Sequence, residues 1–120
     1  MNKQEVFDKV SKHLLTQNMR SIDSRGACKY RAINGLKCAV GCLIPDEVYD
    51  PSMEGFRINH WKYDAHLQIK TAPLEWMLES DMSRLLNRLQ DIHDSEDDPS
   101  LWEEKLRKLA SDFGLVFNNE

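Results

Sequence analysis

No run of about 18 apolar residues occurs in the chain, so the sequence offers no membrane-spanning helix. Met1 to Glu5 begin a polar, amphipathic pattern in place of a basic stub and apolar stretch, and no export signal is expected. Cysteine is scarce and odd in number. Cys28, Cys38 and Cys42 crowd into one short stretch, unlike the evenly paired framework of a small secreted domain, and a reducing cytoplasm is the expected compartment. Glycine is sparse too. The residues at 26, 35, 41, 55 and 114 match neither of the standard nucleotide-binding spacings, which argues against a phosphate-cradling loop of those kinds. Internal repeats and low-complexity linkers are also missing.

The 120 residues suit one globular domain over 1–120, and a 41% hydrophobic content suffices for its core. Net charge is −4, unevenly distributed: residues 1–45 carry eight Lys/Arg against three Asp/Glu, and residues 46–120 carry eight against seventeen. The overall acidity argues against a general nucleic-acid binder, whose affinity comes mainly from phosphate neutralisation. The basic N-terminal part leaves room for a local contact patch.

From Asn2 to about Met19, Val6, Phe7, Val10 and Leu14 recur at helical spacing, and Asn2 with Glu5 forms a variant capping box. Residues 20–37 are rich in turn formers. Asn34-Gly35 favours the positive φ of a type I′ turn, so a hairpin pairing Ala27–Arg31 with Leu36 onward is expected. Cys38–Ile44 reads either as its second strand or as a short, tightly packed helix. Pro45 to Pro51 allows at most a short helical turn. Trp61, Tyr63, Ala65, Leu67 and Ile69 alternate with polar residues, the period of a half-buried strand, although 61, 65 and 69 also share helical spacing. A helix is expected from Pro73 through Ile92, with Ser80 and Asp81 as capping candidates. The acidic run Asp91–Asp98 connects it to a last helix starting at Pro99 or Ser100 and closed by Gly114, after which Leu115, Val116 and Phe117 fold back onto the core. The expected fold is α+β and mainly α, with a hairpin near 27–44 packed against at least three helices.

The run Cys28-x-Tyr30-Arg31, then Asn34-Gly35-x-Lys37-Cys38-Ala39-x-Gly41-x-Leu43-Ile44-x-Asp46, resembles a family of small proteins encoded by phages and proteobacterial prophages. Leu89-Gln90-x-Ile92-His93-Asp94 and Ala110…Phe113-Gly114-Leu115 extend the similarity over most of the chain. It departs at Ala32-Ile33, where the pattern has a small Gly. The resemblance implies a phage context and supplies no catalytic residues. In that context, small acidic proteins without catalytic motifs often act by covering a surface on a host enzyme or defence complex.

Two chemical constellations compete with that reading. Cys38-x3-Cys42 followed by His60-x5-His66 has the ligand order of a two-Cys, two-His zinc site, but 17 residues intervene where about twelve to fifteen are usual. If 38–42 is extended, the thiols lie roughly 13 Å apart and cannot share a metal. Buried, inert cysteines are the preferred reading, with no metal and no cofactor. Cys38 with His93 as base and Asp94 as its orienter would make a minimal thiol hydrolase, yet His93 lies on the apolar stripe of Leu86 and Leu89, where a structural histidine is commoner. The remaining feature is the basic cluster Arg20, Arg25, Lys29, Arg31 and Lys37 around Tyr30, since Arg and Tyr are favoured interface anchors. The expectation is therefore a non-catalytic protein that inhibits or sequesters a host factor through this cluster. A small enzyme or zinc protein centred on Cys38, Cys42, His60, His66 and His93 is the alternative.

Overall fold

A computed structural model describes residues 1–118 of the chain. Four α-helices, α1 (Lys3–Gln17), α2 (Ala65–Lys70), α3 (Ser80–Ser95) and α4 (Trp102–Asp112), alternate with 3₁₀ turns at Ile33–Gly35, Gly41–Leu43, Pro51–Met53, Ile58–Tyr63, Ala72–Leu78 and Pro99–Leu101. Helices α1, α3 and α4 pack on one another, and α2 packs on the turns at Ile58–Tyr63 and Ala72–Leu78. No described helix is long and apolar enough to cross a membrane.

Local chemistry explains where the helices begin and end. At the start of α1 the Asn2 side chain accepts the Glu5 N–H at 2.8 Å and Glu5 accepts the Asn2 N–H at 3.0 Å, a complete capping box. Asn18 ends the helix in the left-handed region at φ 52°. The triplet Asp-Pro-Ser occurs at 50–52 and again at 98–100, and each time the Asp carboxylate accepts the Ser N–H while Pro opens a 3₁₀ turn. Asp98 thus caps the 3₁₀ turn that leads into α4. Gly114 closes α4 at φ +65°, and the Leu115 N–H reaches back to the Ala110 carbonyl at 2.8 Å. Behind it Phe117 meets Phe7 edge-on at 6.3 Å, and the Val116 backbone pairs with the Gln4 side chain.

The core joins Val6, Phe7, Val10 and Leu14 of α1 to Leu85, Leu86 and Leu89 of α3 and to Trp102, Leu106 and Leu109 of α4, all essentially buried. Each such Leu contributes about 2 kcal/mol by leaving water. Trp61, Met53 and Ile58 extend this core beneath the 3₁₀ turns.

Two expectations are overturned. No strand or sheet forms among the described residues, so the α+β reading with its hairpin at 27–44 is corrected to a helical fold. The Asn34-Gly35 turn itself forms, with φ of +64° and +75°, but the pairing it introduces stops at the single bridge Arg31–Lys37; a second isolated bridge joins Ile22 and Cys28. The Tyr30 N–H, which a continuing ladder would send to the Cys38 carbonyl, goes instead to Glu54. Its carboxylate accepts the N–H groups of Tyr30 at 2.8 Å and Arg31 at 3.1 Å. Beyond Lys37 the chain coils at once, with the Cys42 N–H on the Cys38 carbonyl at 3.2 Å, so 38–42 is a helical turn.

The strand expected at 61–70 is likewise a 3₁₀ turn followed by α2. Trp61 is buried from the 3₁₀ turn and Leu67 from α2, whereas Tyr63 and Ile69 are each 77% exposed. Asp64 starts α2 by accepting the Leu67 N–H at 3.0 Å.

Candidate functional site

The basic cluster is brought together, but most of it is spent inside the fold. Arg20 binds the C-terminal end of α3: its guanidinium donates to the carbonyls of His93 at 3.3 Å and Asp94 at 2.8 Å and pairs with Asp97 at 3.0 Å. A cation on the last carbonyls of a helix is favourable by charge and by hydrogen bonding. Arg31 lies over the Tyr49 ring at 4.5 Å and bridges the Ile44 carbonyl to Asp46. Tyr30 is buried, its ring 5.5 Å from Trp61 and its hydroxyl donating to the Phe56 carbonyl. Lys29 lies 3.9 Å from Asp23. The Lys37 backbone is tied to α1 through His13 and Gln17. Arg25 is the most open of the set, exposed and with no side-chain hydrogen bond or ion pair among the described residues.

The zinc constellation does not assemble. Among the described residues the group of metal-capable side chains that converges is Cys28, His93 and Asp94, with ligand atoms within 4.8 Å of one another. Cys38 and Cys42 are not part of it, and His60 and His66 lie exposed near α2. The adjacency His93-Asp94 was readable from the sequence. Cys28 and Ser21 carried no signal, since their roles depend on contacts across more than sixty positions.

The hydrogen bonds of this trio decide its chemistry. His93 is fully buried. Its Nε2 accepts the Ser21 N–H at 2.8 Å, which leaves the ring proton on Nδ1 to be donated to Asp94 Oδ1, also at 2.8 Å. Gln90 donates to the same oxygen at 2.7 Å and accepts the Val40 N–H at 3.0 Å. Burial pushes the Asp94 carboxyl up, but hydrogen bonds from His93, Gln90 and Cys28 outweigh it and hold the group below the ordinary carboxylate value. A metal-ligating histidine donates its second ring N–H to a partner. Here that second nitrogen is an acceptor, so metal on Nδ1 would require an imidazolate or a broken Ser21 contact. The donor set fits a clasp joining residues 21 and 28 to α3, and does not fit a metal centre.

Neither thiol arrangement is a nucleophile. Asp94 stands between Cys28 and His93, so the imidazole cannot take the thiol proton, the reverse of the order that activates a cysteine. Burial, and then the Asp94 charge, push the Cys28 thiol up. Burial also raises Cys38, which is 1% exposed, and pushes Cys42 up to about 11. Above about pH 9 the unfolded chain sheds thiol protons that the folded chain keeps, so stability should fall as pH rises towards about 11. Urea midpoints measured across that window should show the fall, and Cys38→Ala should flatten it. An identical slope in wild type and variant would count against a protonated, buried thiol.

Two accessible features lie side by side near α3 and the turn Ile58–Tyr63. A cavity of about 200 Å³ opens between residues 28–30, residues 54–58 and α3, with Asp94 in its wall. Beside it runs an exposed aromatic row. Phe56, 48% exposed, stacks on His60 at 6.2 Å, and His60 meets Tyr63 edge-on at 6.3 Å with the Lys62 ammonium 5.2 Å from the Tyr63 ring. The 3₁₀ repeat of three puts 60 and 63 on one face while Ile58 and Trp61 turn inward. The sequence showed these aromatics but assigned the odd positions of 61–69 to a buried face. Comparison with protein-family models, curated proteins and solved structures finds no match to this chain.

Proposed function

We propose that this chain is a non-catalytic binding protein that covers a surface on another protein, with Phe56, His60 and Tyr63 as its contact row. The observation that carries this reading is the row itself: three rings in mutual contact on the outside of a fold that buries Phe7, Tyr30, Trp61 and Trp102 and keeps Tyr49, Trp76, Phe113 and Phe117 partly covered. Rings at an interface give large contact area at small entropic cost, and such anchors dominate binding energy. The alternative of a Cys/His enzyme or zinc protein loses support, because the thiols are protonated and the buried imidazole is committed on both nitrogens. The resemblance to phage-encoded proteins favours a host protein or defence complex as the partner, and inhibition or sequestration as the outcome. Three free thiols suit the reducing cytoplasm of that host.

The test places a photo-crosslinking amino acid at Tyr63 and, separately, at Arg25, in the natural host. Position 63 should give one discrete protein adduct that Phe56→Ala suppresses, because losing a central ring costs about 2 kcal/mol of binding. A discrete adduct from position 25 alone would return the contact surface to the basic segment. Adducts from neither position would refute a binding role for both surfaces.

A further inference from the structure

We propose that the cavity beside Asp94 is a binding site for an organic cation, an ammonium or guanidinium group on a short apolar stem. The starting point is an imbalance of charge. The Asp94 side chain, 29% exposed, faces this cavity, and its hydrogen-bond partners are all neutral: the Gln90 amide, the Cys28 thiol, and His93, which is neutral because Nε2 accepts the Ser21 N–H. No Lys or Arg among the described residues pairs with it. The hydrogen bonds keep Asp94 ionised without cancelling its charge, so the carboxylate still attracts a cation that reaches the cavity.

The two cations in the cavity wall do not fill that role. Arg57 donates to Asp91 at 2.9 Å, and Lys29 lies 3.9 Å from Asp23, so each brings its own counterion. Glu54 adds a second negative wall group, although its oxygens are occupied by the Tyr30 and Arg31 N–H groups and the Tyr49 hydroxyl. The wall thus carries two cations and two anions, with Lys29 and Arg57 each facing a carboxylate of its own while Asp94 faces no Lys or Arg among the described residues. A metal ion is disfavoured by the Ser21 contact that makes His93 Nε2 an acceptor.

Shape narrows the class further. At about 200 Å³ the cavity is smaller than the roughly 300–1,000 Å³ of cofactor-sized sites, so it suits a small molecule or the end of one side chain. Val40, Ile58 and Phe56 provide apolar wall for a stem. On α3, Asn87 and Gln90 share the face of Asp94; Asn87 donates through Nδ2 to Asn59, leaving its carbonyl oxygen as a further acceptor. Ammonium and guanidinium groups are pure donors and match these acceptors. The cavity shares Phe56 with the aromatic row, but its acceptors, Asp94 and Asn87, lie outside that row.

The experiment is an NMR titration of the ¹⁵N-labelled full chain with benzylamine, N-acetyl-lysine methylamide, benzyl alcohol and benzoate. The two ammonium probes should shift the amides of Cys28, Gly55 and Asp94 saturably, and bind at least about tenfold more tightly than benzyl alcohol or benzoate. Tighter benzylamine would identify a free amine as the source, and a tighter lysine derivative would identify a partner's side chain. Asp94→Asn should abolish the preference for ammonium. Because Asp94 also braces His93, Arg57→Gln provides a second variant with a distinct sign: removing the rim cation should tighten ammonium binding several-fold. Benzoate or benzyl alcohol binding as well as benzylamine, weaker ammonium binding in Arg57→Gln, or no saturable shift with either amine would overturn the proposal.

Discussion

Gly41→Ala should cost about 3 kcal/mol of folding stability, a large effect for adding one methyl group. A Cβ at position 41 would sit 2.0 Å from the Tyr30 carbonyl oxygen and 2.8 Å from its carbon. Both are backbone atoms, and their position is fixed from several sides. The Tyr30 N–H is held by Glu54, its ring packs on Trp61, and its carbonyl receives the Cys38 N–H at 3.4 Å. Relief would have to come from moving the turn at 38–43 away from residue 30, which opens the core around Val40 and Leu43. Gly35→Ala is the control. That residue has φ +75° but nothing within 4 Å of the new methyl, so only the conformational penalty of about 1 kcal/mol is expected. Urea denaturation of the two variants beside wild type measures the difference. Equal, small losses would mean that the crossing of residues 30 and 41 is loose.

The same crossing shows which parts of the architecture were legible in the sequence. Helices α1 and α4 could be read because a local signal and a tertiary one coincide: apolar residues at three- and four-residue spacing, with Asn2 at one start and Gly114 at the other end. The alternation at 61–69 misled because Trp61 and Leu67, buried from two different helical elements, happen to stand an even number of residues apart. Only burial, with Trp61 and Leu67 inside and Tyr63 and Ile69 outside, distinguishes this from a half-buried strand. The turn at Asn34-Gly35 was correct as backbone chemistry, yet it says nothing about who takes the N–H groups that follow from it in space. Charge counting had the same weakness. It located Arg20 and Arg31 in a basic segment, but the carbonyls of His93, Asp94 and Ile44 that absorb their guanidinium groups are brought near only by folding. His93-Asp94 was visible as a pair. Its meaning depends on the Ser21 N–H, a backbone donor with no sequence signature.

Glu54→Ala should destabilise the chain by about 3 kcal/mol, because one carboxylate serves three donors from separate parts of the fold. Oε1 accepts the Tyr30 N–H, and Oε2 accepts both the Arg31 N–H and the Tyr49 hydroxyl at 2.8 Å. Truncation leaves two partly buried amides without acceptors and releases the Tyr49 ring over which Arg31 is placed. Glu54→Gln separates charge from connectivity. Its amide oxygen still accepts one backbone N–H, and the Tyr49 hydroxyl turns to accept from the amide nitrogen. The other N–H then faces a donor, so a smaller loss of about 1–2 kcal/mol is expected. Thermal and urea unfolding give the two magnitudes, and amide hydrogen exchange at Tyr30 and Arg31 gives the location. Both amides should exchange faster in Glu54→Ala, and one of them in Glu54→Gln. If Glu54→Ala were near neutral while those amides stayed protected, the backbone at 30–31 would have found another acceptor.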